Sequence, residues 1–138
     1  FRRVLFRSAR DLGAHQFFTE KPDSLLPKID RHFDLLLVTA NVDLPYTEYL
    51  RALRPNGTLC FVGIPPSPLT IPVGALLGRR LRVSASPIGA PARIHEMLDF
   101  AKVHGITAMS EIMPMSKANE ALSRVRANSV RYRAVLSR

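Results

Sequence analysis

A chain of 138 residues has room for one ordinary domain with a real core, and 46% apolar with 22% charged residues describes a folded protein rather than a disordered tail or linker. Its longest apolar run is far too short to cross a bilayer, and the amino terminus lacks the long apolar segment and small-residue cleavage site of a secretory signal, so a cytoplasmic protein with no membrane partner is expected. The formal charge of +9 would suit nucleic acid, yet the basic residues are scattered and the ten aromatics, seven Phe and three Tyr, interleave with no basic segment, so the charge reads as solvated surface.

The opening octet, Phe1-Arg2-Arg3-Val4-Leu5-Phe6-Arg7-Ser8, reads like an in-frame translation of a sequencing-adapter oligonucleotide, and residues 1–8 are expected to be a non-native leader. Without its three arginines, 17 of the 20 basic residues remain against 11 acidic ones, a net of +6. Leu12-Gly13-Ala14 then looks like a helix end with Gly13 as a left-handed cap, followed by a short strand near His15 to Phe18. Pro22 to Ile29 can hold a short helix capped by Asp23 or Ser24, with Pro27 weakening it. Asp34 to Thr39 is a continuous apolar run, as in a parallel-sheet strand covered on both faces.

Tyr46, Tyr49, Leu50 and Leu53 fall at helical spacing after Pro45, and Pro55-Asn56-Gly57 is turn chemistry that launches a strand over Thr58 to Val62. That strand holds the single cysteine, Cys60, for which packing is the expected role; one cysteine cannot form an internal disulfide. The proline-rich stretch from Pro65 to Pro72 must be an ordered loop. Val73 to Leu77 makes about one helical turn, and Leu81 to Ala85 is the next strand. Pro91 starts and Gly105 ends a helix whose apolar face is Ile94, Met97, Leu98 and Ala101. A weak strand over Ser110 to Met113 follows. Ser116 caps a last helix with the stripe Ala118, Ala121, Leu122 and Val125, and Arg131 to Leu136 closes as a strand. Alternating strands and helices predict a parallel sheet with helices on both faces.

Little in the side chains points to chemistry carried by this chain. His15, His32, His95 and His104 are dispersed and no Cys-x-x-Cys occurs, so no metal site is expected. Gly-x-Ser-x-Gly is absent around Ser84 and Ser86, and Glu96 with Asp99 reads as a solvated helix face rather than an acid–base pair. No catalytic residue is expected. Two strands, however, end in small-residue turns, Val62-Gly63-Ile64-Pro65 and Ser86-Pro87-Ile88-Gly89, and in open α/β sheets ligands sit at that carboxyl edge.

These residues, together with Leu12-Gly13-Ala14, Phe33-Asp34, Leu53-Arg54-Pro55-Asn56-Gly57, Arg79-Arg80, Glu96-Met97-Leu98-Asp99-Phe100, Asn119-Glu120-Ala121 and Tyr132-Arg133, occur in an order that resembles the carboxyl-terminal half of zinc-dependent medium-chain alcohol dehydrogenases. The cinnamyl-alcohol-dehydrogenase-like branch is the most similar, and the resemblance runs from Ala9 to Arg138. It implies a Rossmann-like doubly wound parallel sheet, incomplete at its amino-terminal side, with residues 9–108 a partial dinucleotide-binding domain and 109–138 a helix and strand returning to an absent catalytic domain. It implies an oxidoreductase passing hydride between NADP(H), with NAD also open, and a primary alcohol or aldehyde.

The resemblance puts Val62, Gly63, Ile64, Ser86, Pro87 and Ile88 at the nicotinamide and Thr39, Ala40 and Asn41 near the adenosine ribose and pyrophosphate. Zinc would belong to the intact enzyme and not to this chain, which is expected to be inactive alone. A homodimer would form through the strand from Leu81 to Ala85, whose unpaired edge would expose Leu81 and Val83. Members of the family usually carry glycine where Ala85 stands here, and often a second where Ala90 stands; the added methyl group is tolerable if φ stays negative and damaging if it does not. Two alternatives remain open, a zinc-free quinone reductase of the same superfamily and a non-catalytic nucleotide-binding α/β module. A Rossmann methyltransferase is disfavoured by the helix-strand ending.

Overall fold

The computed structural model describes residues 2–138, with side chains described from Arg7 onward; Phe1, the first residue of the expected leader, lies outside the described residues. The chain divides into two compact units, the first reaching Pro87 and the second running Ile88–Arg138.

The first unit is built on three parallel strands, β1 (Phe33–Val38), β2 (Leu53–Phe61) and β3 (Arg82–Ala85), side by side in that order. Helix α1 (Arg2–Asp11) precedes them and ends as the sequence predicts. Gly13 takes φ +93°, its N–H donates to Arg10 O, and the Ala14 N–H donates to Ala9 O, the paired bonds of a Schellman cap. Helix α2 (Pro22–Leu25) starts at a Lys21 cap with Pro22 at its first turn, so Asp23 and Ser24 lie inside the helix instead of capping it. A 3-10 turn through Pro27 continues it.

No strand forms near His15 to Phe18, because a strand exists only as part of a ladder and this stretch pairs with no other among the described residues. Between β1 and β2 the short helix α3 (Tyr46–Tyr49) runs into a 3-10 turn and delivers Leu50 and Leu53 to the core. The turn expected at Pro55-Asn56-Gly57 is a slip in register within β2: Phe33 faces Leu53, but Leu35 faces Thr58. Asn56 sits at φ +66° there, its N–H donates to Arg79 O, and its own carbonyl accepts from the Arg82 guanidinium.

Period-two alternation decides which side of the sheet is covered. Leu36, Val38, Leu59, Phe61, Leu81 and Val83 pack on one face with Tyr46, Leu50 and Leu53, joined by Leu76 of helix α4 (Val73–Leu77). A second cluster, Leu25, Leu26, Ile29 and Ala52, adjoins Leu36 and Phe33. On the other face Leu35 and Leu37 are each 56% exposed, so β1 is not covered on both sides as its unbroken apolar run suggests. Cys60 on that same face is half-buried. β3 is an outer strand, yet Leu81 is buried and Val83 half-buried, because both point into the packed face; the edge leaves Arg82 and Ser84 outward instead.

The second unit contains helix α5 (Pro91–Val103), ended by Gly105 at φ +64° as expected, and a parallel pair β4 (Glu111–Pro114) and β5 (Ala134–Ser137) joined through helix α6 (Ala118–Arg126). Met113 and Ala121 are buried in it, whereas Ile94, Met97, Leu98, Leu122 and Val125 are exposed. Ser116 does not cap α6: it lies in a 3-10 turn, and Lys117 occupies the cap without a side-chain bond. Tyr132 at φ +68° interrupts the closing segment, so β5 begins only at Ala134. No helix among the described residues is long and apolar enough to cross a membrane.

Candidate cofactor-binding rim

Because the three strands are parallel and in register, their carboxyl ends finish level: Val38 pairs with Phe61, and Phe61 with Ala85. The segments that leave those ends are Thr39-Ala40-Asn41, Val62-Gly63-Ile64 and Ser86-Pro87, and they emerge side by side on one rim. Backbone bonds fix them there. The N–H groups of Val62 and Gly63 both donate to Val38 O at 3.0 and 2.9 Å, and Ser86 N–H donates to Phe61 O at 2.9 Å. Gly63 is required by close approach: a Cβ there would stand 2.3 Å from Ala40 O and 2.7 Å from Thr39 O. Ile88, the last of the nine residues singled out, begins the second unit and is 90% exposed.

Beyond these bonds the rim keeps unused backbone groups. Among the described residues the Ile64 N–H finds no acceptor, and the carbonyls of Val62, Gly63 and Ile64 find no donor. Gly63 and Ile64 border an open groove of about 470 Å³ whose walls also include Phe61, Val83 and Ala85. Val62 and Ile64 project apolar side chains into solvent at 46% and 83% exposure. Ala85 and Ala90 keep negative φ, so the methyl groups that replace glycine at these positions bring no backbone strain.

The loop from Pro65 to Pro72 is held by side chains that the sequence patterns did not single out. The Asp43 carboxylate accepts from Ser67 twice, from N–H at 3.2 Å and from Oγ at 2.7 Å, while Thr47 Oγ1 donates to Thr70 O at 3.0 Å. Neither Asp43 nor Ser67 belongs to a periodic pattern, and only the fold brings them together. Tyr46 donates its hydroxyl to Val42 O and stacks edge-on against Phe61. Burial first, then the Asp43 charge, holds that phenol above the usual tyrosine range, so it stays a donor.

Arg93 pairs with Glu96, the Phe100 ring lies against His104, and no three His, Cys, Asp or Glu side chains converge as a metal site among the described residues.

Comparison with known proteins gives a consistent result. A family model described as zinc-binding dehydrogenase matches residues 5–103. An aldehyde reductase of Synechocystis sp. is 35% identical over 127 residues, which make up 92% of this chain and 38% of that protein. An NADP-dependent alcohol dehydrogenase of Mycobacterium tuberculosis is 37% identical over 125 residues, 91% of this chain and 36% of the relative. Among solved structures, a cinnamyl alcohol dehydrogenase from Sorghum bicolor superposes with a TM-score of 0.81 at 32% identity, covering 94% of this chain and 37% of that one. The chain therefore spans less than two fifths of the length of each of these three proteins.

Proposed function

Since the chain belongs to the zinc-binding dehydrogenase family, we propose that its rim seats the nicotinamide end of NADP(H) in a cytoplasmic oxidoreductase acting on primary alcohols and aldehydes. Relatives named as NADP-dependent alcohol dehydrogenase and aldehyde reductase support the cofactor and the substrate class. The observation that carries the reading is the set of level strand ends with spare main-chain groups. A carboxamide needs one acceptor and one donor, and the Ile64 N–H with the Val62 to Ile64 carbonyls offers both without any side chain.

In this reading Val62, Gly63, Ile64, Ser86, Pro87 and Ile88 orient the ring, and Thr39, Ala40 and Asn41 lie toward the adenosine ribose and pyrophosphate. The apolar side chains of Val62 and Ile64 shield one side of the ring from water. When bound, the nicotinamide supplies the position that gives or takes hydride. Among the described residues no three His, Cys, Asp or Glu side chains gather where they could hold zinc. Residues 9–108 act as part of the dinucleotide-binding domain and 109–138 as the segment that joins the catalytic domain. The open outer edge of β3 supports strand-to-strand pairing of two subunits.

Titrating the isotope-labelled chain with NADPH tests this. The amide signals of Val62, Gly63, Ile64 and Ser86 are expected to move together. Salt-dependent binding of oligonucleotides with those signals unmoved by NADPH would overturn the reading.

A further inference from the structure

The groove over the strand ends shares Pro65, Ser67 and Leu69 with a second cavity of about 320 Å³, which is lined on its far side by Asp43, Pro45 and Thr47. The loop over residues 65–69 is thus a wall between the two, and its position sets the width of the groove. Three prolines, at 65, 66 and 68, stiffen that loop and remove donors from it. Among the described residues, 64–71 make no backbone-to-backbone hydrogen bond, so ladder and turn bonds do not locate the wall. What locates it is the Asp43 carboxylate on Ser67 and the Thr47 hydroxyl on Thr70 O, both reaching over from the segment that follows β1. The far end of that segment is anchored by the buried Tyr46.

We propose that Asp43 and Ser67 form a latch that positions the wall for cofactor binding, with Asp43 as a positioning residue for the nicotinamide rim. The proposal rests on the functional reading above and adds to it two residues that touch neither strand end. Asn at position 43 keeps both links, because its amide oxygen accepts from the Ser67 N–H and its NH₂ donates to Ser67 Oγ, which can accept as well as donate. Ala at 43 loses both. Ala at 67 loses the hydroxyl link alone.

The test combines NADPH affinity, read from nicotinamide fluorescence, with hydrogen exchange at the Ser67 amide, in the 138-residue chain and in D43A, D43N, S67A and the double variant D43A/S67A. Asp43→Ala is expected to weaken NADPH binding roughly threefold to tenfold and to speed Ser67 exchange. Ser67→Ala weakens binding less, D43N restores it, and D43A/S67A is no weaker than D43A alone, as two members of one interaction require. Faster Ser67 exchange in D43A with unchanged NADPH affinity would overturn the latch while leaving the functional reading intact. So would a double variant whose losses simply add. Failure of the unsubstituted chain to bind NADPH would instead overturn the functional reading, and the latch with it.

Discussion

Gly63 and Arg79 show how single residues set the rim. At Gly63 the obstacle to a side chain is backbone from the neighbouring strand end, which cannot swing away as a flexible side chain could. Gly63→Ala must therefore push the ends of β1 and β2 apart. We expect a loss of about 1–3 kcal/mol in urea-unfolding free energy, together with weakened NADPH binding. Arg79 works from the opposite end of the strands. Its guanidinium donates to the carbonyls of Leu50, Arg51 and Leu53, at 3.1, 3.1 and 2.8 Å, just where α3 and its 3-10 turn run out of helical donors. Replacing it with Met keeps the stem but removes three charge-assisted bonds, leaving Arg51 O with the Arg31 N–H and Leu50 O with the Leu53 N–H, and should cost about 1.5–3 kcal/mol. Arg79→Lys recovers only part of this, since one ammonium cannot reproduce a planar fork. The Arg79-Arg80 pair was legible from sequence only as a point of resemblance; its physical role required knowing which carbonyls lie beneath it.

Among the elements, the two helix ends marked by glycine match the expectation, whereas the caps expected at Asp23 or Ser24 and at Ser116, and the strand expected near His15, do not form. Gly13 and Gly105 terminate helices because left-handed φ costs glycine little, a property of one residue. The stretch near His15 fails as a strand because pairing is a property of two segments. The β4–β5 pair in the second unit is likewise secured at long range, by Glu111. Its carboxylate accepts from the Arg131 N–H at 2.7 Å and pairs with the Arg124 guanidinium, tying the start of β4 to α6 and to the approach of β5. The Arg131 N–H first and Arg124 second hold its pKa below the ordinary glutamate value. A carboxyl lowered on folding adds stability that is present above its unfolded value, about 4.3, and disappears as pH falls through the folded one. Amide signals of Ile112 and Val135 should therefore lose dispersion as pH drops below about 4.3, and Glu111→Gln should remove that dependence. Signals unchanged to the acid side of the glutamate range would show that the bridge does not support the pair.

At the scale of the whole molecule, a parallel sheet with one packed face accounts for both the rim and the apolar surface left over. Leu35 and Leu37 stand exposed on its uncovered face. We expect the purified chain to bind NADPH without catalysing alcohol-dependent NADP reduction, since among the described residues no three His, Cys, Asp or Glu side chains gather where they could hold a metal ion; measurable turnover would refute this. The sequence by itself determined the alternation of strands and helices from β1 onward, the parallel class and the segments that leave each strand end. Those follow from periodicity, glycine placement and turn chemistry within short windows. The tertiary structure alone decided that Val38, Phe61 and Ala85 finish level, that only one side of β1 is covered, and that Asp43 meets Ser67. Register and loop contacts are set by free energies between segments tens of residues apart, and no local pattern encodes them.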